Sequence, residues 1–239
     1  MGDWAESVLS RALSEDSGLR FRAIQYGDTG SLSAGDPNFK ERYLASLEET
    51  RILGKRPDLL LVDNSLAAPS DISQAPRSEA DAIARKSLAA IEVRSSKQQA
   101  IKYMKVKADE GGKAGKAGLS FTVKVEDLRI VHRWIETCDV PQYYFQVFFD
   151  SVFAIDVLDI FKAISERDGI AIEKPDKSQN KATIMIPITK GRQVASFVSP
   201  PTFSVEIREN RLGRIDTYVV PVGGDLSLDS QAIKETLGV

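Results

Sequence analysis

The spacing of hydrophobic and polar residues alternates along the chain between an extended and a helical pattern. Residues 59–62 are four consecutive aliphatic side chains, which predicts a strand that is buried on both faces. In residues 89–95, Ile91 and Val93 alternate with Glu92 and Arg94, so we expect a second strand with one apolar and one charged face. Residues 141–155 are rich in aromatic and β-branched residues and predict one long bent strand or two paired strands.

Helical spacing recurs between these strands. It predicts helices over residues 4–13, 39–50, 97–108, 126–137, 157–166 and 228–237. Another helix is predicted over residues 78–88, with Ser78 and Asp81 as a capping box. Further strands are predicted at residues 182–188, 193–198, 203–208 and 215–220. The order of elements indicates one α/β domain over residues 1–239, with a mixed central sheet flanked by helices and a β-rich C-terminal part from about residue 170.

The composition of the chain narrows its chemistry. The 239 residues include 32 Lys and Arg, 34 Asp and Glu, one His and one Cys. His132 and Cys138 are too few for a zinc site built on several Cys or His, and one cysteine excludes a disulfide within the chain. Metal chemistry must therefore use carboxylates, which favours hard ions such as Mg²⁺.

The chain shows no sequence signal for a membrane. No stretch approaches the roughly 18 apolar residues that a membrane span needs. The first ten residues lack the basic region and apolar block of a secretory signal. We therefore expect a cytoplasmic protein that does not associate with a membrane.

Two short acidic motifs lie on the predicted strands. Asp58 follows Pro57 at the start of the first strand, and the second strand contains Glu92, Val93 and Arg94. If the strands are neighbours, the two carboxylates converge on one divalent ion, and residue 94 projects from the same face toward the attacking water. A structural ion pair within an α/β sheet is the alternative interpretation.

These motifs and the residues around them resemble the PD-(D/E)xK nuclease superfamily. The chain as a whole resembles a type II restriction endonuclease of the AccI group. The resemblance rests on the strings ETRILGKRPDLLL (residues 49–61), AIEVRSS (90–96), SFTVKVED (120–127) and YYFQVFFD (143–150). It implies a restriction-endonuclease-like fold with a catalytic core over residues 36–160.

The resemblance also implies a function and a set of ligands. The function is Mg²⁺-dependent, sequence-specific hydrolysis of double-stranded DNA, with Mn²⁺ as a substitute ion. Asp58 and Glu92 would bind the metal, with the Val93 carbonyl as a further ligand and an acidic residue of the preceding helix as an outer ligand. Glu49 and Glu48 are candidates for that outer ligand, and Glu41 lies about two turns earlier. A homodimer in the bacterial cytoplasm and a cognate DNA methyltransferase are implied as well.

One position departs from the family pattern, which usually has lysine where this chain has Arg94. A guanidinium is effectively always charged and cannot act as a general base. We therefore expect Arg94 to orient the water and to stabilise developing negative charge. Lys97 is the alternative source of the usual lysine function, although it lies past the predicted end of the strand.

Positive charge is concentrated after the second motif. Six lysines between residues 97 and 118 accompany only Asp109 and Glu110, which gives a local net charge of +4. This segment would suit DNA phosphates, and a solvated helix face with a glycine-rich loop is the alternative. Arg and Asn near a predicted hairpin turn are residue types that read guanine and adenine in the major groove. The candidate DNA contacts are Lys102, Lys105, Lys113, Lys116, Arg208, Asn210 and Arg211.

Two other functions fit the same residues. A repair or junction nuclease with this core would cut according to DNA structure instead of sequence. A non-catalytic DNA-binding protein would carry Arg94 as the mark of a decayed active site. Discrete bands after digestion of plasmid DNA distinguish sequence-specific cleavage from both alternatives.

Overall fold

The computed structural model describes residues 2–27, 39–109, 119–173, 182–209 and 215–239. The helices in these ranges are α1 (Gly2–Glu15), α2 (Phe39–Leu53), α3 (Arg77–Ala84), α4 (Ala100–Asp109), α5 (Val125–Cys138), α6 (Val157–Glu166) and α7 (Ser230–Leu237). The strands are β1 (Phe21–Gln25), β2 (Leu59–Asp63), β3 (Ala89–Ser95), β4 (Ser120–Lys124), β5 (Gln142–Val147), β6 (Ser151–Asp156), β7 (Ala171–Glu173), β8 (Thr183–Pro187), β9 (Arg192–Ser199), β10 (Thr202–Glu209), β11 (Ile215–Val222) and β12 (Asp225–Leu228). None of these helices has the length and apolar content that a membrane crossing requires.

A mixed sheet forms the centre of the described structure. Its strand order is β1-β2-β3-β5-β6-β9-β12. β3 and β5 are parallel, and the other neighbouring strands are antiparallel. The predicted mixed central sheet flanked by helices is therefore confirmed. Two strands of the β-rich C-terminal part, β9 and β12, extend this sheet, whereas β10 and β11 form a separate two-stranded ribbon.

Both faces of the central sheet are covered, which explains the continuous apolar run of β2. One face packs against α1 and α7, through residues such as Leu9 and Ile233. The residue after α1 also contacts the first residue of α7, because Ser230 Oγ donates to Asp16 Oδ2 at 3.1 Å. The other face packs against α3, α5 and α6 and against the small sheet β4-β8-β7, with Trp134 fully buried.

The alternating pattern of β3 corresponds to these two layers. Ile91 and Val93 lie in the core beneath α1, and Ala90 lies in the core beneath α5. Glu92 and Arg94 follow Ala90 at the period of a strand, so they share its face. The sequence predicts that Glu92 and Arg94 share one face of β3. In the structure, that face is the one next to α5.

Two local predictions have different outcomes. The aromatic segment 141–155 forms the paired strands β5 and β6, one of its two predicted forms. The capping box at Ser78 is wrong, since α3 starts one residue earlier, after Pro76, with no side-chain cap. Asp81 is instead buried and accepts hydrogen bonds from Tyr26 and Arg77. Its side chain therefore belongs to an internal hydrogen-bond network and does not cap the helix.

Candidate active site

The two acidic motifs meet on neighbouring strands of the central sheet. β2 and β3 are antiparallel, with Leu59 opposite Ile91, and the same register continued by one residue sets Asp58 opposite Glu92. The Val93 N–H donates to Asp58 Oδ2 at 2.7 Å and so ties the first carboxylate to the strand of the second. The structure thus brings together the two acids that the sequence paired.

The backbone of Asp58 is also held by the chain that follows β1. The N–H groups of Tyr26 and Gly27 both donate to the Asp58 carbonyl at 3.0 Å. A Cβ atom at Gly27 would lie 2.9 Å from Asp58 Cα, so only glycine permits this approach without a shift of the backbone. Asp58 is therefore fixed from β1 on one side and from β3 on the other.

Glu92 is the more deeply buried of the two acids, with 1% of its side chain exposed. Its Oε1 forms ion pairs with Lys55 Nζ and with an Arg94 Nη atom, the latter at 3.0 Å. Its Oε2 has no hydrogen-bond partner among the described residues. A buried carboxylate oxygen without a partner is costly, so this atom is available to a cation.

The pKa of Asp58 is shifted toward neutral pH. Burial, and after it the negative charge of Glu92, raises the pKa of Asp58 to about 7. Lys55 and the Val93 N–H act in the opposite direction. A carboxyl group perturbed by burial and by a second acid in a cleft is typical of a functional site.

The donor set fits a hard divalent ion. Mg²⁺ prefers oxygen ligands, keeps several waters and is commonly bound by one or two carboxylates. The pair offers Asp58 and the free Oε2 of Glu92. Within the described ranges, no group of three or more His, Cys, Asp or Glu side chains is arranged to hold a metal.

The three candidates for an outer acid have different surroundings. Glu49 of α2 lines a cleft together with Asp58, and its Oε1 lies 3.6 Å from Arg77 Nη1. Glu48 pairs with Arg51 on the exposed side of α2, and Glu41 is exposed in the first turn. Of the three, only Glu49 lines this cleft.

Glu6 is an acid near the site that the sequence interpretation missed. It lines a second cleft that also contains Asp58, and Gln25 Nε2 donates to its Oε2 at 3.4 Å. Burial raises the pKa of Glu6, Gln25 lowers it, and the charges of Asp3 and Glu92 raise it further. No sequence signal indicated it, because Glu6 reaches this cleft through the packing of α1 on the central sheet.

Arg94 projects from the predicted face of β3 and lies between two carboxylates. One of its Nη atoms is 3.0 Å from Glu92 Oε1 and 3.3 Å from Asp127 Oδ2 of α5, and its guanidinium lies 5.9 Å from the ring centre of Tyr144. Burial opposes the charge of Arg94, but Glu92, Tyr144 and Asp127 together raise its pKa above the ordinary value. Arg94 is therefore a permanent cation within the site.

Lys97 is not part of the same cluster. It is exposed beyond the end of β3 and lines a different cleft together with Ser120 and Gln146. The two clefts that contain Asp58 do not include it.

Lys55 lies at the site although no motif position indicated it. Its Nζ contacts Glu92 Oε1, and its side chain lines the cleft that contains Asp58 and Glu49. In the sequence, Lys55 belongs to the basic pair Lys55-Arg56 directly before Pro57, outside the two acidic motifs.

The candidate DNA contacts are only partly described. Lys102 and Lys105 are exposed on α4, whose first N–H groups donate to the carboxylate of Asp150. Arg208 lies in β10, but its side chain is outside the described structure. Lys113, Lys116, Asn210 and Arg211 lie outside the described residues.

The family relationship of the chain follows from a match over its whole length. The family model "AccI restriction endonuclease" matches residues 1–114 and 111–239. The chain belongs to the AccI restriction endonuclease family. The resemblance carried by the two motifs is thereby confirmed, and Asp58 and Glu92 lie in a protein of a nuclease family whose substrate is DNA.

Comparison with individual proteins adds one solved structure. A nuclease from a fusselovirus aligns with 64% of this AccI-family chain and 82% of its own chain, at 13% identity and a TM-score of 0.31. No curated protein matches the chain.

Proposed function

We propose that this AccI-family nuclease is a type II restriction endonuclease that hydrolyses double-stranded DNA at a specific sequence with Mg²⁺, for which Mn²⁺ can substitute. The observation that carries the proposal is the pairing of Asp58 with Glu92 on adjacent strands, with the buried Glu92 Oε2 left without a partner. Membership in the family supports the same reaction.

The ligands of the ion follow from this arrangement. Asp58 and Glu92 would hold it, the Val93 carbonyl would add a ligand, and Glu49 and Glu6 would act through bound water at the two clefts that share Asp58. When bound, Mg²⁺ supplies a Lewis acid for the phosphate and lowers the pKa of water.

Hydrolysis joins the oxygen of water to phosphorus and breaks one P–O bond of the DNA backbone. One proton of the water ends on the leaving oxygen, which becomes an alcohol, and the other ends on the new phosphate or in solvent. Negative charge grows on the phosphate oxygens in the transition state. Arg94, fixed by Glu92 and Asp127, stabilises that charge and does not accept a proton.

The proposed arrangement of the protein on DNA follows from the symmetry of a palindromic site. A palindromic site offers two equivalent strands, so we propose a homodimer with one catalytic centre for each strand. Lys102 and Lys105 on α4 would contact phosphates. A DNA methyltransferase of the same specificity would protect the corresponding sites of the cell's own DNA.

A digest of phage and plasmid DNA tests this function. With Mg²⁺, the wild-type protein should give discrete bands whose sequenced ends share one site, and light scattering should report about twice the chain mass of 26.3 kDa. Asp58→Ala should lower the cleavage rate at least about 100-fold and retain DNA binding in Ca²⁺.

Asp63→Ala is the matched control, because Asp63 lies at the exposed opposite end of β2 and should be dispensable for cutting. A smear without discrete bands would indicate cleavage by DNA structure. DNA that is bound but uncut in both Mg²⁺ and Mn²⁺ would indicate a binding protein. Either result, or Asp58→Ala cutting at the wild-type rate, contradicts the proposal.

A further inference from the structure

Lys55 contacts the buried acid of the site from the loop between α2 and β2. Its Nζ forms an ion pair with Glu92 Oε1, while 34% of the Lys55 side chain stays exposed. Glu92 itself is 1% exposed, so Lys55 connects a buried carboxylate to an open cleft. That cleft also contains Asp58 and Glu49.

The backbone on both sides of Lys55 is held in place. Gly54 has φ +85°, and a Cβ there would lie 2.2 Å from the Trp134 backbone nitrogen, so the chain touches α5 directly. Lys55 N–H donates to the Ile130 carbonyl at 3.0 Å. Arg77 donates to the carbonyls of Leu53 and Gly54 at 3.3 and 3.1 Å. These contacts hold the backbone from which the Lys55 side chain extends. A catalytic group must be held in a defined position in this way.

The two other cations that line this cleft have structural partners. Arg56 donates to the Ser73 carbonyl at 3.3 Å and lies 5.4 Å from the ring centre of Tyr26. Arg77 pairs with Asp81 and holds the backbone before Lys55. Among the described cations that line this cleft, Lys55 is the one that contacts Glu92.

We infer that Lys55 is the catalytic lysine of the cleavage reaction, and that its ammonium group contacts the scissile phosphate; this inference rests on the proposed function. An ammonium has three N–H donors. One is directed to Glu92 Oε1, which leaves two for a phosphate oxygen and the attacking water. Glu92 Oε2 remains for the metal, so one carboxylate positions both cations.

This assignment gives the lysine and the arginine different tasks. Arg94 is held by Glu92 and Asp127 and is 26% exposed, so it stabilises the developing negative charge as a fixed cation of β3. Lys55 approaches from the loop before β2 and faces the cleft where the phosphate would bind next to Asp58. The reaction itself is unchanged, since Lys55 donates hydrogen bonds without entering the proton balance.

Lysine substitutions with two separate measurements test the inference. Single-turnover cleavage of plasmid DNA should fall at least about 100-fold in Lys55→Met. Affinity for Ca²⁺ alone, measured by titration calorimetry, should stay equal or increase in the same variant, because a cation that shares Glu92 has been removed. Lys55→Arg keeps the charge and should lose less activity than Lys55→Met. Lys86→Met, at an exposed position after the end of α3, is the matched control and should cut at the wild-type rate.

Each contrary result has a defined meaning. Lys55→Met cutting at the wild-type rate, or losing less than Lys97→Met, overturns the role of Lys55 and leaves the proposed function intact. Weaker Ca²⁺ binding together with lost cutting indicates a purely structural lysine and also overturns it. If Lys55→Met does not fold, Lys55→Gln decides by the same two measurements. A wild-type protein that cuts no DNA overturns the proposed function and this inference together.

Discussion

At the scale of single residues, the raised pKa of Asp58 couples the site to stability. Its folded-state pKa of about 7 lies above the ordinary value of 3.8, because of burial and the charge of Glu92. The folded state therefore holds this proton more tightly than the unfolded state does. The corresponding stability is fully present below pH 3.8 and is lost as the pH rises through about 7.

The variant Asp58→Asn should reveal this cost. Without metal at pH 8, we expect Asn to raise the free energy of unfolding by about 1–2 kcal/mol, since it removes a partly buried charge beside Glu92. The difference should be much smaller near pH 4, because the carboxyl is neutral there in the folded state and only about half ionised in the unfolded state. Urea unfolding in EDTA at the two pH values measures it.

Asp63→Asn provides the control for this measurement. The Ser65 side chain lowers the pKa of Asp63. Replacing Asp63 with Asn should therefore not stabilise the protein at pH 8. A stability gain of Asp58→Asn that is equal at both pH values would contradict the electrostatic explanation.

The sequence predicts some residues of the site and misses others for a physical reason. Asp58, Glu92 and Arg94 were predictable because strand alternation sets their facing once β2 and β3 are neighbours. Lys55 and Glu6 were not, because they reach the pair through a loop held by α5 and through the first helix. Such contacts depend on tertiary packing, which neither spacing nor composition encodes.

At the scale of elements, the loop between α2 and β2 depends on one glycine. Gly54 has a positive φ and lies against the Trp134 backbone, which cannot move without shifting α5. We expect Gly54→Ala to lower the free energy of unfolding by about 3 kcal/mol or more, and to reduce cleavage in the molecules that remain folded. Thermal unfolding and plasmid cleavage measure the two effects.

Gly223→Ala is the control that distinguishes the cost of steric contact at Gly54 from the cost of backbone strain. Gly223 also has a positive φ, but a Cβ there would meet nothing within 4 Å. Its replacement should cost only the strain of about 1 kcal/mol. Equal losses in the two variants would show that the contact with α5 does not position the loop.

Elements with a clear pattern were predictable, and those that depend on packing were not. β3 and α6 occupy the predicted residues, because alternation and helical spacing define them. The capping box failed because Asp81 was required by a buried network with Tyr26 and Arg77. β12 was missed because its four residues gain their stability from pairing with β9 at the edge of the sheet.

At the scale of the whole molecule, the net charge of −2 hides a local basic surface. Lys102 and Lys105 are both exposed on α4. Replacing both with Ala should weaken binding to all DNA sequences alike and lower the slope of affinity against salt by about 2. Fluorescence anisotropy of labelled duplex DNA in Ca²⁺ at several salt concentrations measures this slope.

Lys86→Ala combined with Lys162→Ala removes the same charge from two other exposed positions, one after the end of α3 and one in α6, and is the control. An unchanged slope in the α4 variant, or an equal change in both variants, would contradict a phosphate contact by α4. Net charge is shared by the two variants, so only the position of the lysines can distinguish them.

The shared face of α1 and α7 has a consequence for how the protein matures during synthesis. The two helices lie in the same core beneath the central sheet, with Ile233 fully buried and Ser230 bonded to Asp16. Translation produces the acidic pair long before α7. A nascent chain therefore carries Asp58 and Glu92 before α7 can join α1 on the same face of the sheet, and that layer is complete only after residue 237 has left the ribosome.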